Sequence, residues 1–241
     1  MLKNIVILFS FIATCAFSSN TKQDSLIIGT NAEFPPFTYM EKGEIVGFDI
    51  DVAREVCKRL GKNPSFKNMP FEALIPDLLL SHVDFVAAGM SYTPERAKRV
   101  LFTKNYLSGD PLVILTLKQK KLHIDQLAGK KVAVNEGYTS DFLLTPRKDI
   151  SLTRLATTAD GFLALQSKRV DAFVTAQSTI DAFFAKQDRS LFEITPIEGT
   201  GETCALVLPL KKEALLKEIQ SALDAMEQDG TLSTLRSKWK L

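Results

Sequence analysis

Histidine and cysteine carry much acid–base, nucleophilic and metal chemistry, and this sequence contains few of either. The histidines are His82 and His123, and the cysteines are Cys15, Cys57 and Cys204. Two histidines severely limit general-base and metal-binding roles. Three cysteines form neither a disulfide framework nor a zinc-binding pattern. Nothing in the sequence places a histidine beside a cysteine, so we do not predict a nucleophilic cysteine.

Cys57 lies on the apolar stripe of a predicted helix, together with Val52, Ala53, Val56 and Leu60. That position favours a buried thiol. An oxidising compartment would also allow a disulfide between Cys57 and Cys204, an alternative that the sequence leaves open.

Composition and charge are those of an ordinary globular protein. The chain has 241 residues, of which 45% are hydrophobic and 24% charged. This length allows one large domain or two small ones. Lys and Arg number 30 against 28 Asp and Glu, a net charge of +2. Such a balanced chain lacks the basic footprint of a nucleic-acid-binding protein, so we predict no nucleic-acid partner.

The N-terminus has the pattern of a secretory signal peptide, which we assign to residues 1–18. Lys3 precedes a short apolar run over residues 5–13, and polar residues follow. The run is too short to span a bilayer. Residues 16–18 suit simple cleavage, whereas Cys15 is the alternative as a lipid anchor. The mature protein is expected to be soluble and exported.

Short apolar strands alternate with amphipathic helices, which predicts an α/β protein with parallel strands. Strands are predicted at 26–30, 66–69, 83–88, 131–135, around 152, 170–175 and 204–208. Helices are predicted at 49–60, 71–80, from 139, 159–167, 178–186, 211–228 and 232–239.

A repeated pattern indicates two similar lobes. In each half a helix ends, a polar break follows, and Val-Asp leads into a buried strand, with Asp84 in the first half and Asp171 in the second. We expect these aspartates to cap or solvate a turn. We interpret Leu112–Leu117 as the crossing to the second lobe and Gly199–Gly201 as the crossing back. Lobe 1 is then residues 25–111 and 204–241, and lobe 2 is 112–203.

An ordered set of short motifs covers nearly all of the mature chain. The motifs are Ile28-Gly29-Thr30-Asn31-Ala32-Glu33-Phe34-Pro35-Pro36-Phe37, Gly47-Phe48-Asp49-Ile50-Asp51, Phe71-Glu72-Ala73-Leu74-Ile75-Pro76, Ala88-Gly89-Met90-Ser91-Tyr92-Thr93-Pro94-Glu95-Arg96, Gly129-Lys130-Lys131-Val132-Ala133-Val134, Gly137-Tyr138-Thr139 and Asp229-Gly230-Thr231. The set resembles the polar amino-acid solute-binding proteins of bacterial ABC importers, and its wording is most similar to the arginine-binding branch.

The resemblance implies the two-lobed periplasmic binding protein fold (type II), with two hinge crossings. It further implies a monomer outside the cytoplasm that takes up a cationic amino acid, L-arginine first, and delivers it to the membrane permease of an ABC importer. No cofactor, metal or catalytic residue is implied.

The resemblance also implies a set of ligand contacts. Arg96 matches the position that binds the ligand carboxylate, which needs a forked cation. Gly89, Met90 and Ser91 follow a buried strand, where backbone and hydroxyl contacts are expected. Thr139 begins a second-lobe helix whose amides suit an anion.

The side chain of the ligand is expected to lie against aromatic residues. Phe34 and Phe71 match the family's aromatic walls, on which a guanidinium gains cation–π energy. Asn31 and Glu33 belong to the same loop as Phe34. A carboxylate at Glu33 would favour a cationic side chain, although a solvated loop position explains it equally well.

One position departs from the family pattern. Where the family carries an Asp that pairs the ligand ammonium, this sequence has Ala176 followed by Gln177. We therefore expect Gln177, with help from Glu202, to take that role, or the ligand to bind in a different pose.

Two other functional classes remain open. The fold also resembles secreted cyclohexadienyl dehydratases, but no histidine lies in a predicted cleft motif, so we predict no enzyme. A sensory or surface-exposed binding module is the third hypothesis.

Overall fold

The structure is a computed structural model that describes residues 25–185 and 187–241. The predicted signal peptide at 1–18 and the alternative lipid site Cys15 lie outside these residues. Within the described ranges, no helix combines the length and apolarity that crossing a membrane requires.

Except for a four-residue helix at Pro94–Ala97, which was not predicted, the helices lie within a few residues of where apolar periodicity places them. They are α1 Phe48–Arg59, α2 Leu74–Leu79, α3 Pro94–Ala97, α4 Thr139–Leu144, α5 Thr158–Gln166, α6 Gln177–Phe184, α7 Glu213–Gln228 and α8 Thr231–Trp239. Short 3₁₀ turns occur at Phe71–Ala73 and Ile124–Leu127.

The strands are more numerous than predicted. They are β1 Ser25–Thr30, β2 Glu33–Phe34, β3 Thr38–Glu41, β4 Glu44–Val46, β5 Asn63–Asn68, β6 Phe85–Val86, β7 Val100–Phe102, β8 Leu107–Asp110, β9 Leu112–Leu117, β10 Lys131–Asn135, β11 Ser151–Leu155, β12 Ala172–Ala176, β13 Phe192–Pro196, β14 Glu202–Cys204 and β15 Val207–Pro209.

Each lobe is built on a mixed five-stranded sheet. The first has the order β5-β1-β6-β15-β7 and the second β11-β10-β12-β9-β13. Strands β5, β1 and β6 run parallel, as do β11, β10 and β12. The remaining strands of both sheets pair antiparallel, so the prediction of parallel strands holds only for three strands in each sheet.

The interpretation of Leu112–Leu117 as a crossing is wrong. This segment is β9, which pairs with both β12 and β13 inside the second sheet. Four of its six side chains are fully buried because helices cover the sheet around it. Its partner β13 was not predicted, although Phe192-Glu193-Ile194-Thr195 alternates apolar and polar residues as a strand does.

The crossing between the lobes is a two-stranded antiparallel ribbon of β8 and β14. Gly199–Gly201 precedes β14 rather than forming the crossing itself, which corrects the second prediction about the hinge. Two short paired strands suit a hinge, because a ribbon can bend without disturbing the cores on either side.

The repeated Val-Asp pattern has the same structural role in both lobes. The carboxylate of Asp84 accepts the Ile27 N–H of the neighbouring strand at 2.8 Å. The carboxylate of Asp171 accepts the Lys131 N–H of its neighbour at 3.0 Å. Both aspartates satisfy a backbone donor of the neighbouring strand at the start of a parallel pair, so they link two strands, which differs from the expected role of capping or solvating a turn.

Cys57 and Cys204 are buried, unpaired thiols of the first lobe's core. The disulfide alternative is therefore wrong, and the buried-thiol prediction is confirmed. Burial raises the pKa of Cys57 to about 11, which keeps it protonated and poorly nucleophilic at neutral pH.

Candidate ligand site between the lobes

The candidate site lies beyond the carboxyl ends of the parallel strands. Asn31 follows β1, Gly89 and Ser91 follow β6, and Thr139 follows β10. Open α/β sheets bind ligands at this edge because loops there can diverge and expose backbone groups. The two lobes place these loops face to face across one cleft.

Gly89 is held in a conformation that only glycine accepts easily. Its φ is +59°, and a Cβ atom there would lie 2.7 Å from the Phe34 ring. The buried carboxylate of Asp49 in α1 accepts the Gly89 N–H. Burial raises the pKa of Asp49 to about 6, and the bond from Gly89 opposes that shift. Helix α1 thus positions the loop that carries Gly89 and Ser91.

Arg96 is buried in the cleft, with 4% of its surface exposed. It is placed by α3, whose N-cap Thr93 accepts the Arg96 N–H at 3.2 Å. Its guanidinium donates to the Ser91 carbonyl at 2.6 Å and, across the cleft, to the Gly137 carbonyl at 2.7 Å. Burial lowers its pKa to about 10, so the side chain remains a cation at neutral pH.

The Arg96 guanidinium also lies over two aromatic rings. Its carbon is 5.4 Å from the ring centre of Phe71 and 5.3 Å from that of Phe142. These contacts hold the planar group in one orientation. In this orientation the guanidinium can donate two hydrogen bonds to a single acceptor group such as a carboxylate.

Glu202 is a partly buried carboxylate at the hinge end of the cleft. Its Oε2 accepts hydrogen bonds from the Ser91 and Thr139 hydroxyls, the second at 2.9 Å. Desolvation raises its pKa, whereas these two hydroxyls and then the Arg96 charge lower it. The cleft therefore contains one buried cation and one partly buried acid, each contacting both lobes or the hinge.

An aromatic cluster occupies the rest of the cleft. Tyr138, which precedes α4, has its ring centre 4.5 Å from Phe71 and 5.5 Å from Phe34. Its hydroxyl donates to Asn31 Oδ1 at 3.1 Å, and only 8% of the residue is exposed. The Asn31 amide in turn donates to the Met69 carbonyl at 3.1 Å.

Acidic side chains surround this cluster. Glu33 is exposed at the rim, and its pKa is raised by partial desolvation and then by the charges of Asp160 and Glu72. Burial raises the pKa of Tyr138, and Glu33, Glu72 and Glu202 raise it further. The field at the aromatic end of the cleft is negative and would attract a cation.

The space left within the cleft is small. A cavity of about 10 Å³ lies among residues of both lobes and β14, namely Phe34, Phe71, Gly89, Arg96, Tyr138, Thr139 and Glu202. That is room for about one water, so the cleft is closed by contacts between the lobes themselves. A larger cavity of about 280 Å³ adjoins it at Arg96 and is lined in part by Met90.

The structure brings most of the predicted contacts together. Those at or beside the cleft are Asn31, Glu33, Phe34, Phe71, Gly89, Met90, Ser91, Arg96, Thr139 and Glu202. Gln177 lies elsewhere: it lines a cavity by the β8 segment, and its amide donates to Asp181 at 2.8 Å. As the first residue of α6, it is turned along the helix, and Glu202 supplies the acid of the cleft instead.

Sequence reasoning missed Tyr138. The residue belongs to the motif Gly137-Tyr138-Thr139, but this motif predicts a ligand contact only at Thr139, because the start of a helix suits an anion. The available signal was a large aromatic residue directly before the start of a helix, at the end of the helix that faces the ligand-binding loops.

Two five-stranded α/β lobes, a two-stranded hinge and a charged cleft between them define a two-lobed ligand-binding protein. Residues 26–241 match the family described as bacterial extracellular solute-binding proteins, family 3. The chain belongs to this family.

Relatives and solved structures agree with that assignment. A putative arginine-binding protein of an Escherichia coli ABC transporter is 31% identical over 97% of this chain and 98% of its own. A probable arginine-binding protein from Chlamydia trachomatis is 30% identical, covering 92% and 88%.

Among solved structures, an ancestral arginine-binding protein bound to arginine is similar with a TM-score of 0.84 and 33% identity, covering 89% of this chain and 97% of its own. An ancestral arginine-binding protein bound to glutamine is similar with a TM-score of 0.83 and 33% identity, covering 89% of this chain and 97% of its own. Membership of a family of solute-binding proteins confirms the predicted class of protein and argues against the enzyme hypothesis.

Proposed function

We propose that this protein captures a cationic amino acid, L-arginine first, by closing its two lobes and delivers it to the membrane permease of an ABC importer. The observation that carries the proposal is a cleft holding one buried cation, Arg96, and one partly buried acid, Glu202. These charges complement the carboxylate and ammonium of a free amino acid.

The carboxylate is assigned to Arg96. The Gly137 carbonyl accepts one hydrogen bond from the guanidinium. A ligand carboxylate would replace this carbonyl and accept a stronger, charge-assisted pair of hydrogen bonds. The backbone at Thr139 would add donors from the second lobe.

The ammonium is assigned to Glu202 and Ser91. Glu202 takes the place of the family's Asp, which is Ala176 here, and the Ser91 hydroxyl already lies within hydrogen-bond distance of it. Gln177 has no part in this assignment, because its side chain bonds within α6.

The ligand side chain is assigned to the aromatic end of the cleft, against Phe34 and Phe71 and towards Glu33 and Asn31. The negative field there favours a cation over a neutral amide of similar shape. We therefore expect arginine to bind more tightly than lysine, and both more tightly than glutamine, by about 1–3 kcal/mol for an unmet charge or lost forked pair.

The wider assignment follows from the class. We propose export through the signal peptide at 1–18, with a periplasmic or extracytoplasmic location and Cys15 as the alternative lipid anchor. We further propose a monomer with lobe 1 at 25–111 and 204–241 and lobe 2 at 112–203. No cofactor is assigned.

A thermal-shift panel of the twenty amino acids tests the assignment on wild type, Glu33→Gln and the control Glu41→Gln. Glu41 is an exposed glutamate of the same small β2–β3–β4 sheet. Arginine should give the largest shift, and Glu33→Gln alone should narrow the gap between arginine and glutamine. A larger shift with glutamine or an acidic amino acid would refute the cationic assignment. An unchanged gap in Glu33→Gln would make Glu33 a solvated rim residue.

A further inference from the structure

Tyr138 is the largest contribution of the second lobe to the cleft. It comes from the loop before α4, yet its ring contacts Phe34 and Phe71 of the first lobe at 5.5 and 4.5 Å. Its hydroxyl bonds to Asn31, another first-lobe residue. Every contact named here crosses the cleft, so all of them form only when the lobes are closed.

The position of Tyr138 coincides with the place assigned to the ligand side chain. Phe34, Phe71 and Asn31 are three of the four residues that we expect to contact that side chain, and Tyr138 already contacts all three. With the ring in place, the cavity beside it is about 10 Å³, which is too small for any amino acid.

We propose that Tyr138 competes with the ligand side chain for the space beside Phe34 and Phe71, and so lowers the affinity of the cleft for its ligand. This inference rests on the proposed function. Tyr138 stabilises a closed form that cannot accept ligand, and binding requires its ring to leave the aromatic cluster.

The chemistry explains how a ligand can win this competition. Burial raises the pKa of the Tyr138 hydroxyl, and the charges of Glu33, Glu72 and Glu202 raise it further. The phenol stays neutral and offers these acids no positive charge. A guanidinium stacks on the same rings and also meets the acids, so it offsets the loss of the Tyr138 contacts more readily than a neutral side chain does.

The test compares Tyr138→Ala with wild type and with the control Tyr92→Ala. Tyr92 is 56% exposed and packs on Phe102 of its own lobe at 5.4 Å, so its removal leaves the contacts across the cleft intact. Isothermal titration calorimetry measures arginine and glutamine binding. Small-angle scattering measures the radius of gyration without added amino acid.

Tyr138→Ala should bind arginine about tenfold more tightly, as expected when about nine-tenths of the molecules are held in a form that cannot bind. Glutamine should gain by the same factor, because a competing closed form lowers the affinity for every ligand alike. The radius of gyration of Tyr138→Ala without ligand should exceed that of wild type. Tyr92→Ala should match wild type in each measurement. Weaker or unchanged arginine binding in a folded Tyr138→Ala protein would overturn the proposal, since Tyr138 would then be a wall for the ligand or have no part in binding.

Tyr138→Phe provides a second variant that keeps the shape of the ring and so the fold. It removes only the bond to Asn31 and should bind arginine about threefold more tightly than wild type; no gain would count against the proposal. If neither wild type nor any variant binds one of the twenty amino acids, the proposed function fails. The scattering comparison would still decide whether Tyr138 holds the lobes together.

Discussion

At the scale of single residues, the cleft is built from a few polar groups whose protonation is set by burial. Arg96 remains a cation although burial lowers its pKa, because carbonyls accept its donors and aromatic faces hold its plane. Desolvation raises the pKa of Glu202, and hydrogen bonds from two hydroxyls oppose that shift. Both groups can exchange their present partners for the charged ends of an amino acid.

Replacing Arg96 with Ala should weaken arginine binding by about 2–5 kcal/mol, because a desolvated ligand carboxylate loses its cation. Arg96→Lys should recover only part of this, since an ammonium lacks the planar fork. Calorimetry measures both, with the exposed Arg99→Ala as the matched control. Wild-type affinity in Arg96→Ala would remove this residue from the site.

Arginine affinity should fall as the pH is lowered through the raised pKa of Glu202. The protonated acid cannot pair the ligand ammonium, and burial places that protonation above the usual range of a glutamate. Glu202→Gln should bind arginine about 2–5 kcal/mol more weakly at neutral pH and lose most of this acid dependence. Titrations from pH 4 to 8 measure it, and identical pH profiles for the variant and wild type would contradict the assignment.

At the scale of elements, helix α1 supports the ligand loop through one buried carboxyl. Asp49 accepts the Gly89 N–H and sits beneath the chain that leads to Ser91. A buried acid of this kind orients a loop at the expense of stability, because the folded protein disfavours its ionised form.

Unfolding measurements should reveal that cost. The pKa of Asp49 is about 6 in the folded protein against 3.8 for the free side chain. The folded state therefore holds the proton more tightly, so this contribution to stability is complete below about pH 4 and is lost as the pH rises through about 6. The loss amounts to about 3 kcal/mol.

Asp49→Asn keeps an oxygen that can accept the Gly89 N–H and removes the ionisation. Its free energy of unfolding, measured in urea, should change less than that of wild type between pH 4 and 7. The exposed Asp125→Asn serves as control and should follow wild type. Parallel curves for Asp49→Asn and wild type would show that Asp49 does not carry this dependence.

At the scale of the whole molecule, two rigid sheets meet through the β8–β14 ribbon and a set of cleft contacts. Each lobe has its own buried core. The contacts between them include polar ones, such as Arg96 to Gly137 and Thr139 to Glu202, and the aromatic contacts of Tyr138 with Phe34 and Phe71. Such an interface can open without unfolding either lobe.

Saturating arginine should shift Tyr138→Ala towards the closed form, because only that form contacts the ligand from both lobes. Small-angle scattering should show a smaller radius of gyration of this variant with arginine than without it, whereas wild type, which Tyr138 already holds closed, should change little. Glycine at the same concentration is the control, since it lacks the side chain that the aromatic end receives. No change in Tyr138→Ala at saturation would argue against hinge closure.

The sequence by itself determined the alternation of strands and helices, the two-lobe plan and most of the cleft residues. These depend on local periodicity and on short motifs, such as the segment from Gly89 to Arg96, whose residue types and spacing are visible before their distant partners are known. The Val-Asp pattern at 84 and 171 is visible in the same way, although the backbone donors that these aspartates bind lie on neighbouring strands.

Only the tertiary structure decided where the chain crosses between lobes and what fills the cleft. Leu112–Leu117 has an apolar pattern suited to either a crossing or a core strand, and pairing with β12 and β13 selects the core. Gln177 and Glu202 are both plausible acceptors in sequence, but the register of the β8–β14 ribbon turns Glu202 towards Ser91. Tyr138 meets Phe34 across more than a hundred residues of chain, a contact that exists only because folding brings two separate lobes face to face.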